Sequence, residues 1–567
     1  MPELQLNSGP QDALLYDNTR SYFTNVGYVR TSNFQLKLRD VDPINTARLG
    51  TTVQFVIPKA ADLLGPIDLV LELAEAQSGT PFPDPYAASN SGTGYHTYVK
   101  GFTAWVEAVG FAMIDKIVFS VGTQTIETIT GDQLNIMNEL MTSDSKRLGR
   151  DTILKTSRTP VRTQTWPQTG RVYPHEGDSF RNPSMFKKNR LITLCMNAID
   201  ENGQTVLKSA AMPGTKKLIV PLGLFFTKHP SQYLPLAAIS AENEVRVSVK
   251  MRTLAELVLM SATDYSMTSG TYRSVVSSNA PTTGTIHFPT FDDDQAIVTG
   301  SCKLRCHMMH VTGPERAVMM NKEHVRLLKL WQVNTKTVSL TPSVSKTQIA
   351  SIDLSFLHPV TELIITVRKA SEMSSSTSTD IKPSNSNQGA ITKNYFAYHG
   401  GDGDPNIERL AMRHVAMDGF DRTCLFGMVD TGTANDYVAI DNFKLSLNGQ
   451  ERHESLAANS LDHNYLMNRL MPMMHSNTSS VFECEGPEMD ALTQTCDRKQ
   501  IYVYPFSLNP EGSNPSGAVN FSKVSHAKLD IEGTVTGSAG VEYQVDVYGV
   551  HYNWLQIRDG RALTSFS

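Results

Sequence analysis

Cysteine is scarce in this sequence. Six residues (Cys195, Cys302, Cys306, Cys424, Cys484 and Cys496) in a chain of 567 are too few and too scattered for a disulfide scaffold. Most are expected to be buried thiols. Long apolar runs are missing as well. The nearest, Leu218 to Phe226, is about half the 18 residues that a membrane helix needs and contains Pro221 and Gly223, so no segment is expected to span a bilayer. Charge of one sign is also lacking: Lys and Arg number 51 against 56 for Asp and Glu, with no basic run at either end. That balance argues against sequence-independent binding of nucleic acid through phosphate neutralisation. The start, Met1-Pro2-Glu3-Leu4-Gln5, has neither the basic nor the apolar region of a secretory signal, so a reducing compartment is expected.

Helical periodicity is rare. The best case is Asp132 to Thr142, where Leu134, Met137 and Leu140 or Met141 share a face. A second short helix is expected from Pro314 to Glu323, with Pro314 at a first helical position and Glu315 at the positive end of the dipole. Period-two alternation is common instead. Phe34, Leu36 and Leu38 alternate with Gln35, Lys37 and Arg39; Val245, Val247, Val249 and Met251 alternate with Arg246, Ser248 and Lys250. The same pattern holds for Ile117, Phe119 and Val121, for Phe443, Leu445 and Leu447, and for Tyr543, Val545 and Val547 against Glu542, Gln544 and Asp546. Each reads as a half-buried strand with one dry and one wet face. With 37 glycines and 28 prolines to make turns, the chain reads as mainly β, in antiparallel sandwiches.

The same devices occur twice in the same order. A proline opens an apolar strand at Gly65-Pro66-Ile67-Asp68-Leu69-Val70-Leu71 and again at His358-Pro359-Val360-Thr361-Glu362-Leu363-Ile364-Ile365. A strand runs into a turn at Ile114 to Gln124 and at Ile440 to Gln450, where Asn448-Gly449 is a strong tight-turn signal. Two strands close each half: Ile219 to Phe226 with Val245 to Met251, and Ile501 to Leu508 with Leu529 to Ile531. Two similar sandwiches in tandem explain this most simply. Long polar inserts interrupt them at 77–98, 143–190, 261–299 and 371–405, and inserts of this length are usually exposed or functional.

Catalytic and metal motifs fail on spacing. No phosphate-cradling Gly-x-x-x-x-Gly-Lys-Ser/Thr, Gly-x-Ser-x-Gly elbow or His-Glu-x-x-His pair occurs. Cys302, Cys306 and His310 would share one face of a strand but spread over about 27 Å, too far for one ion. Asp292-Asp293-Asp294 and Asp402-Gly403-Asp404 lack a complete calcium ladder. Asn477 and Asn520 head glycosylation sequons that are expected to stay unused. Tyr86, Tyr95, Tyr98 and Tyr395-Phe396-Ala397-Tyr398 could stack on sugars, but packing within or between subunits is the better reading.

Ile501 to Glu511, followed by Pro515-Ser516-Gly517-Ala518-Val519-Asn520-Phe521-Ser522, resembles the signature of the major capsid proteins of nucleocytoplasmic large DNA viruses. The likeness continues through Val547 to Leu555. It extends to Tyr28-Val29-Arg30-Thr31-Ser32-Asn33-Phe34, to Gly131-Asp132-Gln133 and its helix, to Glu315-Arg316, to His358-Pro359 and to the Asn448-Gly449 turn. Thr31 departs from that pattern, since an aromatic residue or His is common there. The structural signature residues are thus Asn33, Phe34, Gly131, Asp132, Glu315, Arg316, His358, Pro359, Asn448, Gly449, Pro510, Pro515, Ser516, Gly517, Asn520, Tyr552 and Asn553.

The resemblance implies an all-β fold: two tandem eight-stranded jelly-roll β-sandwiches, a double jelly roll, with short helices and long loop inserts. The expected layout is an N-terminal arm over 1–21, one roll over 22–312, a linker helix over 313–324 and a second roll over 325–567. It further implies a non-enzymatic shell protein without catalytic residue, metal or cofactor. Homotrimers would form pseudo-hexagonal capsomers that tile an icosahedral virion. Neighbouring capsomers, minor capsid and penton proteins and an internal membrane are the partners expected, with assembly in cytoplasmic viral factories and no direct contact with nucleic acid. The trimer interface is expected to be obligate and large. The insert 371–405 is expected to be removable without loss of the trimer. The alternatives are a carbohydrate-binding β-sandwich protein and a non-virion scaffold of the same fold.

Overall fold

The computed structural model describes residues 32–73, 96–105, 108–142, 195–199, 205–209, 217–268, 271–273, 296–370, 388–391, 437–452, 456–457, 501–536 and 539–565, together with Lys146, Ile153, Leu154, Tyr395 and Phe396. Among these residues, sixteen main strands build two sandwiches, with Leu234–Pro235, Leu456–Ala457, Val519–Asn520 and Arg561–Thr564 adding short pairings. The first contains β1 (Phe34–Val41), β2 (Thr52–Ile57), β3 (Leu63–Glu72), β4 (Ile114–Val121), β5 (Gln124–Thr130), β6 (Lys217–Pro221), β7 (Val245–Met251) and β8 (Lys303–Val311). The second contains β9 (His324–Leu340), β10 (Ser343–Asp353), β11 (Pro359–Lys369), β12 (Tyr437–Leu447), β13 (Gln450–Glu451), β14 (Ile501–Pro505), β15 (Ala527–Thr536) and β16 (Val541–Arg558).

The strand orders match. The first roll pairs β1-β8-β3-β6 in one sheet and β2-β7-β4-β5 in the other; the second pairs β9-β16-β11-β14 and β10-β15-β12-β13. Ranked within its own half, each roll reads 1-8-3-6 over 2-7-4-5, all antiparallel, which is the jelly-roll order. The repeated devices occupy equivalent places: the proline-led strands are β3 and β11, and the strand-turn devices are β4–β5 and β12–β13. Asn448 and Gly449 both have positive φ, 52° and 79°, as the tight two-residue hairpin between Leu447 and Gln450 requires. The two closing strands of each half lie in opposite sheets.

Helix α1 (Gly131–Met141) starts with a capping box, Thr130 Oγ1 accepting from Gln133 N–H while Gln133 Oε1 accepts from Thr130 N–H at 3.0 Å. Gly131 is required there. A Cβ would stand 2.3 Å from the Ile114 carbonyl oxygen and 2.4 Å from that of Phe111. Helix α2 (Gly313–Asn321) joins the rolls, with Pro314 in its first turn.

The polar inserts contain strands as well as loops. His96–Trp105, Val258–Thr268, Thr271–Arg273 and Gln388–Ile391 form one sheet with Val258–Thr268 at its centre. Inserts from both rolls therefore pair with each other. Ser261, Thr263, Asp264, Ser266 and Thr268 make the second part of this stretch look polar, while its threonines suit a strand.

Two alternation readings need correction. Along β1 both residue sets are exposed in the single chain, with Phe34 at 67%, Leu36 at 49% and Leu38 at 55%. An edge strand whose outer face has no cover meets water on both sides. On β16 the set read as wet holds at Glu542, which is exposed, and fails at Asp546, which is 1% exposed. The second roll packs its outer sheet face against the first.

Candidate functional site

The seam between the rolls gathers the buried chemistry. β11 and β14 are buried on both faces. One side of them, with Val360, Leu363, Ile365, Val367, Tyr502 and Tyr504, fills the second roll. The other side, with Ile364, Ile501 and Val503, joins the apolar cluster of the first roll, along with Tyr548, Val550 and Leu555 of β16. Strands covered on both sides show continuous apolar runs, which is how Leu363-Ile364-Ile365 and Ile501-Tyr502-Val503 read.

Arg368 breaks that run at the end of β11, with its side chain 2% exposed. Its Nη1 lies 2.9 Å from Asp132 Oδ1 on α1 of the first roll and donates to the Tyr395 carbonyl at 3.0 Å. Its Nη2 donates to Asp546 Oδ2 on β16 at 2.5 Å. Asp546 also accepts from Thr335 Oγ1 at 2.7 Å and from Gln544 Nε2. One guanidinium thus ties the first roll, the second roll and the 371–405 insert together. Its planar fork suits several acceptors at once. Tyr395 and Phe396 are each 2% exposed, with the Arg252 guanidinium 4.2 Å from the Tyr395 ring centroid and the Tyr395 hydroxyl donating to the Glu256 carbonyl. These two aromatics pack within the subunit and offer no platform for a sugar. This packing argues against the expectation that the insert is dispensable.

Nearby, Glu127 is buried and accepts from Phe225 N–H at 2.8 Å. Burial pushes its carboxyl up to about 7, opposed by Lys228 and by that N–H. Lys228 keeps accessible side-chain area, yet burial lowers its pKa while Glu127 and Glu362 pull it upward. On the far side of β16, the His551 imidazole is held down to about 4 by burial and by His358, whose ring lies 5.3 Å away.

These two groups give stability opposite slopes. Between about 4.5 and 7 the unfolded chain releases a proton from Glu127 that the folded chain keeps, so stability falls as pH rises. Between about 6.5 and 4 the unfolded chain takes up a proton at His551 that the folded chain refuses, so stability falls as pH drops. The two nearly cancel. A Glu127→Gln variant keeps an acceptor for Phe225 and should unmask the His551 slope, gaining up to roughly 3 kcal/mol between pH 4.5 and 6.5. Urea midpoints at those two pH values test this, and a profile as flat as the parent's would sink it.

The signature residues fall into separate clusters. Asn33 and Phe34 are exposed at the start of β1; the adjacent Ser32 hydroxyl donates to Glu315, and Arg316 Nε pairs with buried Asp62 at 3.1 Å. Asp62 also accepts from Val311 N–H at 3.0 Å, so α2 is anchored to the first roll. His358, with φ of 69°, donates its N–H to Ser522 Oγ, Pro359 pairs with Asn520, and Asn520 Oδ1 accepts from Ser522 N–H.

A further group surrounds Lys329. Its ammonium donates to the Pro510 and Gly512 carbonyls at 2.7 and 2.5 Å and lies 5.7 Å from the Tyr552 ring centroid. Ser516 Oγ accepts from Asn509 N–H, and Gly517 sits at φ 136° where a Cβ would meet the Phe506 carbonyl oxygen at 2.8 Å. Pro515 and Ser516 line a recess of about 530 Å³ that His229 closes from the first roll. Asn553 is buried, its Oδ1 accepting from Trp554 N–H at 2.7 Å. Asn448 Oδ1 accepts from Ser525 and His526 N–H, just ahead of β15, the neighbour of β12 in the sheet away from the seam. Asp132 reaches the seam and Gly131 opens its helix. Arg368, Asp546 and Glu127 were absent from the sequence-based set.

Cys302 and Cys306 are buried, and burial pushes both thiols up to about 12. Asn477, Asp292-Asp293-Asp294, Asp402 and Asp404 lie outside the described residues.

Two like-ordered rolls fused through a buried seam define a double jelly-roll structural protein. Two family models match in succession: "Major capsid protein N-terminus" over residues 21–288 and "Large eukaryotic DNA virus major capsid protein" over 315–562. The major capsid protein of Phaeocystis pouchetii virus is 24% identical, over 99% of this chain and 98% of its own length. That of Pyramimonas orientalis virus is 32% identical over 129 residues, 22% of this chain and 31% of that protein. Among solved structures, VP54 of PBCV-1 aligns with a TM-score of 0.55 at 16% identity, covering 96% of this chain and all of that one, a likeness of fold. The chain belongs to the major capsid protein family of the nucleocytoplasmic large DNA viruses. It is a structural protein of the virion shell, and its relatives are capsid proteins rather than enzymes.

Proposed function

We propose that three copies of this chain close into a pseudo-hexagonal capsomer and that such capsomers tile the icosahedral shell. The observation that carries the reading is the repeat of one strand order in both rolls. Two similar walls per chain, taken three times, give six similar walls, so a three-fold object fits a six-fold position. Heterologous contacts whose rotation closes make such a ring. The open edge at β1, with its exposed apolar row, supplies a surface in need of cover.

In this reading the arm spans 1–21, the rolls 22–312 and 325–567, and the linker 313–324. Neighbouring capsomers meet the ring's sides, while minor capsid proteins, penton proteins and an internal membrane meet its base. Assembly takes place in cytoplasmic factories of the host. The test is native mass by light scattering at two concentrations and two salt levels. A species near three times 62.6 kDa that resists dilution is expected. A clean monomer at both concentrations would overturn the capsomer.

A further inference from the structure

Two imidazoles meet at the head of β11, the end of that strand opposite the 371–405 insert. His551 lies in the middle of β16 at 4% exposure, between Leu330 of β9 and Val360 of β11. His358 stands just ahead of β11, and its ring centroid is 5.3 Å from that of His551 with the planes tilted by 33°. The neighbouring elements turn their charged groups elsewhere. Lys329 of β9 donates to the Pro510 and Gly512 carbonyls, Glu362 of β11 acts on Lys228 and Lys329, and Asp353 and Lys523 are exposed. His358 is the one ionisable side chain among the described residues that bears on the His551 ring.

Of the two residues, only His358 is free to give way. His551 is paired with a strand on either side. His358 holds a left-handed backbone at φ 69°, which a residue with a side chain keeps only while its surroundings enforce it. Its backbone is also a clamp. His358 N–H donates to Ser522 Oγ at 2.9 Å, its carbonyl accepts from Phe521 N–H at 3.1 Å, and Pro359 pairs with Asn520. Within the strap 519–523 so held, Phe521 alone is buried, its ring against Phe356 at 5.7 Å and Phe506 at 5.9 Å. Gly549, two residues from His551 on the same face of β16, lies under that layer, since a Cβ there would meet the Phe356 ring at 3.1 Å.

We infer that the stacked His358–His551 pair is an acid-sensitive latch, and that charging both rings releases the 519–523 strap from the head of β11 and bares Phe521 and Phe356. Two neutral imidazoles stack without penalty. Two imidazolium rings at this spacing repel, and the buried one has no water to solvate its charge. Burial and His358 hold His551 down from an ordinary 6.5 to about 4, against the pull of the Gly549 carbonyl. The closed latch therefore refuses a proton that the open one accepts, so closure weakens as pH falls from about 6.5 towards 4. The latch lies within one chain and does not depend on the capsomer.

Amide hydrogen exchange of the full chain at pH 6.5 and 4.5, corrected for the chemical exchange rate at each pH, tests this. Peptides covering 519–523 should exchange at least tenfold faster at the lower pH, while those covering β7 (Val245–Met251) should not change. His551→Gln should abolish the acid rise. His358→Asn should cut it at least threefold, and asparagine tolerates the left-handed backbone, so this variant decides the matter even if the buried substitution does not fold. A strap that exchanges equally at both pH values in the parent would overturn the latch. So would a rise in His358→Asn as large as the parent's, or a rise in β7 equal to that in the strap, which would mean that acid unfolds the chain as a whole.

Discussion

Replacing Arg368 by Met is expected to cost about 3–5 kcal/mol of unfolding free energy, because it strands two buried carboxylates rather than removing a surface contact. Asp546 is 1% exposed and Asp132 is largely covered, so water cannot solvate the charge left behind. The Tyr395 carbonyl loses its donor in the same step. A second variant separates burial of charge from loss of shape. Combining Arg368→Met with Asp132→Asn and Asp546→Asn removes all three charges at similar volume, and most of the loss should return. The amide oxygen placed at position 546 would still accept from Thr335 and Gln544, which now bond the carboxylate. Guanidinium unfolding of the three proteins decides the matter: a triple variant as unstable as the single one would mean that the guanidinium's packing, not its charge, matters.

Arg368 also marks the limit of what alternation can reveal. The pattern from Tyr543 to Val547 correctly located β16 and its inner face, and the two proline-led strands disclosed the repeat. Period two separates the two faces of a sheet, but it does not say whether a polar face meets water or another domain. Asp546 looks like part of a solvated face for that reason, although a cation from β11 reaches it. The converse error occurs on β1, where Phe34, Leu36 and Leu38 look like a core face and are exposed in a single chain. Whether an apolar row ends up on a core face or an open edge is decided by strand order, which one strand's pattern does not encode. Gly131 and Gly517 were visible only as members of a resembling motif. Their physical need, carbonyl oxygens within 3 Å of an added Cβ, depends on segments that meet only in the fold.

Deleting residues 371–405 should destabilise the chain severely, whereas deleting only Ser374 to Thr379 should change stability by less than about 1 kcal/mol. The long deletion removes Phe396, a fully buried ring whose truncation alone costs about 3–5 kcal/mol. It also removes Tyr395, leaving Arg252 without its ring and Arg368 without the backbone oxygen that completes its fork. Gln388–Ile391 would no longer pair with Met260–Thr263, so the sheet that joins the inserts of the two rolls would lose the strand it takes from the second. The short deletion touches none of these and trims a low-complexity stretch, for which closure entropy changes slowly with length. Soluble yield and denaturant midpoint of both proteins provide the comparison. If the long deletion unfolded at the parent's midpoint, the seam would have to be held by β11, β14 and β16 alone, and Arg368 would need only its two carboxylates.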